Sequence, residues 1–191
     1  MSDGVIGWPV GEEGGLDSKL RISHSLDFLS SIYEDCLENS CLSLDEFWNL
    51  LSTMEIEPNL IIKELSKDQR DYFFLALSTL FVFDFYLIPR TKFLMSKIAR
   101  PLQAILLKQL EGKTLVSTSI NSRFQREFCT EGLVLSPLGE ILFAGGLSDA
   151  IQWANKNLEL SNISSFDDDQ FDVKLNLVNS DSSEDTMDDF V

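Results

Sequence analysis

The chain has 191 residues and carries 31 acidic against 15 basic side chains, a net charge of −16. That length allows one domain of about 150 residues with a tail, and the 44% hydrophobic content, including 14 phenylalanines, excludes a chain that is disordered throughout. The acidity argues against direct nucleic-acid binding, which draws its affinity from Lys and Arg on phosphate, and favours basic protein surfaces as partners.

Residues 1–16 hold five glycines and one proline and are expected to form a flexible N-terminal arm. Cys36, Cys41 and Cys129 show no Cys-x-x-Cys spacing, and no basic stretch precedes an apolar run in MSDGVIGWPVGEEGG. A reduced, intracellular setting without a secretory leader is the expectation.

A first helix is expected from Ile22, Leu26, Leu29, Tyr33 and Cys36, which recur on one helical face. Ser43 with Glu46 has the spacing of a capping box and opens a second helix carrying Phe47, Leu50, Leu51 and Met54 inward. Pro58 suits a first helical position. Ser66 with Gln69 repeats the box and leads into DYFFLALSTLFVFDFYLIP. The apolar run Phe73–Ile88 is shorter than the roughly 20 residues of a spanning helix, so it predicts a buried central helix ending at Pro89, with no membrane segment. A further helix carries Leu94, Ile98, Leu102, Ile105 and Leu110, kinked at Pro101 and closed by Gly112. TLVSTS reads as a strand, LVLSPLGEILFAGG as a hairpin turning at Ser136-Pro137-Leu138-Gly139, and SDAIQWANKNLEL as a short last helix.

The expected fold is mainly α: one compact helical domain over 17–160 with a small β-hairpin, followed by a disordered acidic tail over 161–191. The tail holds nine acids and one base, Lys174, too little apolar surface to offset the entropy of ordering.

No catalytic residue, cofactor site or metal site is expected. His24 is the single histidine and has no partner motif for a nucleophilic triad. Neither G-x-x-x-x-G-K-[ST] nor G-x-G-x-x-G occurs. The two glycines of FAGGLSD read as a plain turn before a helix, and the acidic runs lack the alternating ligands of a calcium loop.

Within the tail, FDDDQFDV and MDDFV set apolar residues among carboxylates, a pattern that holds aromatics available to a partner's groove. Phe171, Val173, Asp188, Asp189, Phe190 and Val191 are the expected partner-binding residues, the acids steering approach and Phe190 anchoring it. Ser182 and Thr186 each have an acid three residues on, and are expected phosphorylation sites for acidophilic kinases.

IGWPVGEE resembles the Trp-Pro-x-Gly motif of the nonstructural NSs proteins of phleboviruses, with Trp8, Pro9 and Gly11 at the matching positions. DFYLIPRTKFLM is similar to a helical stretch of some members at Asp84, Leu87, Pro89, Leu94 and Met95. The resemblance implies a helical, non-enzymatic viral nonstructural protein. It would antagonise interferon induction or translational shut-off by binding host regulatory proteins, in the cytoplasm or nucleus of an infected cell. The alternative reading is an acidic mimic of nucleic acid that occupies a basic cleft on its partner.

Overall fold

The structure, a computed structural model, describes residues 4–118 and 121–158. They group into two compact units that divide between Thr130 and Glu131, where the sequence reading places a single domain over 17–160.

In the first unit, α1 (Ile22–Ile32) and α2 (Glu34–Glu38) replace the single first helix, because Tyr33 leaves the helical region at φ −115° and ψ 42°. Then come α3 (Leu44–Ser52) and α4 (Lys67–Leu80), each opened by the capping box read from the sequence. In α3 the Glu46 N–H donates to the Ser43 hydroxyl (3.3 Å), and the Ser43 N–H donates to the Glu46 carboxylate (2.9 Å). Every residue from Tyr72 to Leu80 is buried. Pro58 starts no helix and instead accepts a hydrogen bond from the Ser23 N–H at 3.0 Å.

The central helix ends eight residues earlier than Ile88. Phe81 is already extended (φ −101°, ψ 135°), and Phe85–Ile88 form the strand β1. Aromatic and β-branched residues dominate that stretch, and they fit a pleated, half-buried surface. The long apolar run thus serves two elements. Among the described residues no helix is long and apolar enough to cross a membrane.

β1 pairs in parallel with β2 (Thr114–Ser117), Phe85 opposite Thr114 and Ile88 opposite Ser117. Its other edge receives residues 5–10, part of the expected flexible arm. The Gly7 N–H donates to the Phe85 carbonyl (3.1 Å) and the Val10 N–H to that of Leu87 (2.7 Å). A Cβ at Gly7 would lie 2.5 Å from the Phe83 ring, so only glycine permits this approach. Trp8 packs against Tyr33, Phe81 and Phe83 at ring-centroid distances of 5.1–5.6 Å. Asp84 ties both partners to β1's entry, accepting from the Val5 N–H (2.9 Å) and pairing with Lys113 (2.8 Å).

α5 (Arg100–Gln109) is shorter than the helix expected around Pro101, and the proline lies at its start rather than at a kink. There the missing N–H has no helical acceptor to lose. Gly112 takes φ +73° just beyond it. A helix the sequence reading did not include, α6 (Ser122–Phe128), is capped by the Asn121 side chain.

The second unit contains β3 (Glu131–Leu135), β4 (Ile141–Gly146) and α7 (Leu147–Asn157). The strands form an antiparallel hairpin, Leu133 opposite Ala144 and Leu135 opposite Ile141. Its turn is closed by the Gly139 N–H donating to the Ser136 carbonyl (2.9 Å), with Gly139 at φ +84°. α7 covers one face: Phe143 stacks on Trp153 at 5.9 Å, and Gly132 lies so close to Ala150 that an added Cβ would come within 2.4 Å of it.

The mainly α expectation is therefore corrected. The described residues form a mixed α/β fold, with a parallel strand pair in one unit and an antiparallel pair in the other. Helical periodicity in the sequence runs on through residues whose pairing partners lie far away in the chain.

Candidate functional site

The first turn of α4 presents Lys67, then Arg70 and Asp71, to a cleft of about 670 Å³ whose opposite wall is the glycine-rich segment Gly11–Gly14. Positive φ at Gly11 (+79°) and Gly14 (+59°) turns that segment, and the Gly11 N–H donates to the Ser78 hydroxyl (3.2 Å), which pins it to α4. Arg90, just after β1, also lines the cleft and pairs through Nε with Glu12 at 2.9 Å.

Charges of both signs meet here. Arg70 donates through Nη2 to the Leu65 carbonyl (3.4 Å), while its Nε is buried and has no hydrogen-bond acceptor. Loss of hydration raises the Asp71 carboxyl above its ordinary value, against the lowering pull of Lys67. Such a lining suits a small polar ligand carrying an anionic group, because the lining cations Lys67 and Arg70 offer charged donors to it. Among the described residues no cluster of three or more His, Cys, Asp and Glu is placed to hold a metal.

Of the residues singled out in the sequence, Trp8 belongs to the aromatic cluster, and Pro9 accepts from the Glu12 N–H (3.0 Å) in the turn that leads to the cleft. Gly11 lines the cleft itself. Phe171, Val173, Ser182, Thr186, Asp188, Asp189, Phe190 and Val191 lie outside the described residues. His24 is exposed on α1, Cys36 is buried, Cys41 is exposed and Cys129 is half-buried, all three thiols being free. Burial raises the Cys36 and Cys129 thiols, which holds them in the unreactive neutral form. The FAGGLSD turn is the start of α7, with Gly146 as cap and no cation beside it in the sequence. In the sequence nothing distinguishes Lys67 and Arg70 from a solvated helix face, or Arg90 from an ordinary loop cation.

No protein-family model matches the chain. Over 161 residues it is 28% identical to the polysialic acid transport ATP-binding protein KpsT of Escherichia coli, a match that covers 83% of this chain and 72% of KpsT. A solved structure described as the ATP binding subunit of an ABC transporter superposes with a TM-score of 0.54 at 20% identity. That likeness concerns the fold alone. It covers 84% of this chain, which spans only 64% of the solved one.

These findings overturn the resemblance to phlebovirus nonstructural proteins, which rested on two short segments. With it fall the readings as a viral antagonist of innate immunity, as an acidic mimic of nucleic acid and as a protein without enzymatic activity. The host regulatory protein as partner and the host cytoplasm or nucleus as location are corrected on the same ground, because the similarity runs to a bacterial transport protein across most of the chain.

Proposed function

We propose that the chain works as a protein of the ABC-transporter ATP-binding type, engaging a nucleotide and a membrane subunit of a transport system. The similarity to KpsT carries this reading, and the mixed parallel and antiparallel fold supports it.

The full G-x-x-x-x-G-K-[ST] pattern does not occur: Gly112-Lys113-Thr114 matches its end, but Leu107 stands where its first glycine would be, so the backbone cradle that commonly holds a triphosphate is incomplete in these 191 residues. A nucleotide here would be held by side chains. The cleft beside α4 is suited to that in its donor set. Lys67 and Arg70 would meet phosphate oxygens, and Glu13 or Asp71 would contribute oxygen to an accompanying Mg²⁺, which takes only one or two protein carboxylates when phosphates complete its shell. The bound nucleotide supplies a transferable phosphoryl group. The chain's own residues would bind and orient it, beside an Asp71 carboxyl that desolvation holds above its ordinary value.

Without the backbone cradle the affinity should be weak, on the order of 1 mM, about 4 kcal/mol of binding free energy. Isothermal titration with Mg·ATP tests this, with Mg²⁺ alone and inorganic phosphate as comparisons. Lys67→Ala and Arg70→Ala should each weaken binding severalfold while circular dichroism stays unchanged. A folded chain that takes up no Mg·ATP at several times that concentration would defeat the nucleotide reading.

A further inference from the structure

The cleft beside α4 is built from parts of the chain that only folding brings together. One wall is the first two turns of α4, and the other is the end of the N-terminal arm, Gly11–Gly14. Ser78 joins them. Its hydroxyl donates to the Phe74 carbonyl at 2.9 Å and accepts from the Gly11 N–H at 3.2 Å. Phe74 lines the cleft, whereas Ser78 lies one helical turn further on, buried and outside the lining. A serine hydroxyl has one proton to give. Here the helix takes it, and the oxygen serves the arm.

The arm itself is an added edge strand. The Gly7 and Val10 N–H groups donate to the carbonyls of Phe85 and Leu87, and the Val5 carbonyl accepts from the Asp84 and Phe85 N–H groups. Its outer edge pairs with no further strand among the described residues. Val10 and the partly buried Trp8 reach the core, while Val5 and Ile6 are 41% and 62% exposed. An edge segment of this kind opens at a lower free energy than the buried helix beside it.

We propose that the arm is a strap whose docking on β1 completes the cleft, that Ser78 is the positioning residue that latches its glycine turn to α4, and that a ligand in the cleft and the docked arm stabilise each other. Gly11–Gly14 form a wall only while the latch is closed, so a ligand touching both walls binds the docked state and not the open one. Coupling of this kind is reciprocal: what the ligand adds to docking, docking adds to the ligand's affinity. A factor that draws the arm off β1 would therefore empty the cleft without touching a residue of the α4 wall. Only the coupling rests on the nucleotide reading; the latch and the separate opening of the arm do not.

Hydrogen exchange on the full chain, combined with titration of Mg·ATP, is the test. Amides of Gly7, Val10 and Gly11 should exchange faster than those of Tyr72–Leu80, and excess Mg·ATP should slow them. Ser78→Ala keeps a good helix former in α4 and alters no lining residue. It should speed exchange at Gly11 and weaken Mg·ATP by about fivefold each, the size of one lost hydrogen bond. Gly7→Ala sets a Cβ 2.5 Å from the Phe83 ring, away from the cleft, and should release the arm, with a larger loss of affinity than Ser78→Ala. Phe28→Ser, at an exposed residue of α1, should change neither quantity. Retained protection of Tyr72–Leu80 shows that each variant is folded. Exchange at Gly11 that Ser78→Ala leaves unaltered overturns the latch. Arm amides that exchange only in step with α4, in the unmodified chain or in Gly7→Ala, overturn the strap. Undiminished affinity in a folded Gly7→Ala overturns the coupling. If the unmodified chain takes up no Mg·ATP, the nucleotide reading and the coupling fall together, and exchange alone still decides the latch and the strap.

Discussion

The two units differ in how their apolar residues are used. Almost every buried hydrophobic side chain among the described residues belongs to the first unit, around α4, β1 and α5, and Ala150 alone represents the second. The second unit nonetheless exposes Leu133, Leu135, Leu138 and Ile141. Hydrophobicity in the sequence is therefore no measure of core. One unit surrounds its apolar helix on all sides, whereas the other places a helix over half of a two-stranded sheet and leaves the rest exposed.

The sharpest way to break this contrast is to damage the core of the first unit and ask whether the second follows. Phe73 is fully buried, so Phe73→Ala should remove about 3–5 kcal/mol of stability, read as an earlier midpoint in denaturant. If hydrogen exchange on α7 rises in step, the units unfold together. Unchanged exchange there means they unfold separately.

A smaller effect comes from the second unit's one tight contact. Gly132→Ala drives a Cβ against Ala150 and should cost about 1–3 kcal/mol through displacement of α7 from the hairpin. The change should appear in exchange at residues 131–157 and leave α4 protected. An unaltered exchange pattern would mean that α7 is already loosely held.

The smallest effect is electrostatic and belongs to the first unit. The Lys113 ammonium, together with the Val5 N–H, holds the Asp84 carboxyl below its usual range. A depressed carboxylate adds stability that is fully present above the unfolded value of about 3.9, and that is lost as pH falls through the lower folded value. Asp84→Asn should therefore lower stability slightly near neutrality and leave it unchanged in strong acid, which flattens the acid limb of the stability curve. A steeper acid limb in the variant would contradict the ion pair's role.

Local signals were the legible part of this fold. The boxes at Ser43/Glu46 and Ser66/Gln69, the left-handed Gly112 and the hairpin turn at Ser136–Gly139 each depend on residues within a few positions of one another. The misread stretches are those whose structure depends on distant partners. Phe85–Ile88 continue an apolar run in the sequence, yet they become a strand because residues 5–10 and β2 supply hydrogen bonds on both edges. Pro101 looks like a kink only if the helix is assumed to begin earlier. The cleft was illegible for the same reason: Gly11, Arg70 and Arg90 are far apart in sequence and meet only after the arm docks. The long-range similarity to a transport protein could not be read from motifs, since the complete phosphate loop that would have announced it does not occur in the chain.

The placement of β1 between two remote partners also sets a timetable for synthesis. Val5 and Asp84 are 79 residues apart, and at 5–20 residues per second the ribosome needs about 4–16 s to make that interval. Throughout this time Trp8 has neither Phe81 nor Phe83 to pack against, and the arm's backbone has no strand to join. Even then the parallel pair waits for Ser117, a further 29 residues beyond Ile88. The nascent chain thus carries an exposed tryptophan segment throughout that interval, the kind of stretch that a ribosome-associated chaperone would hold.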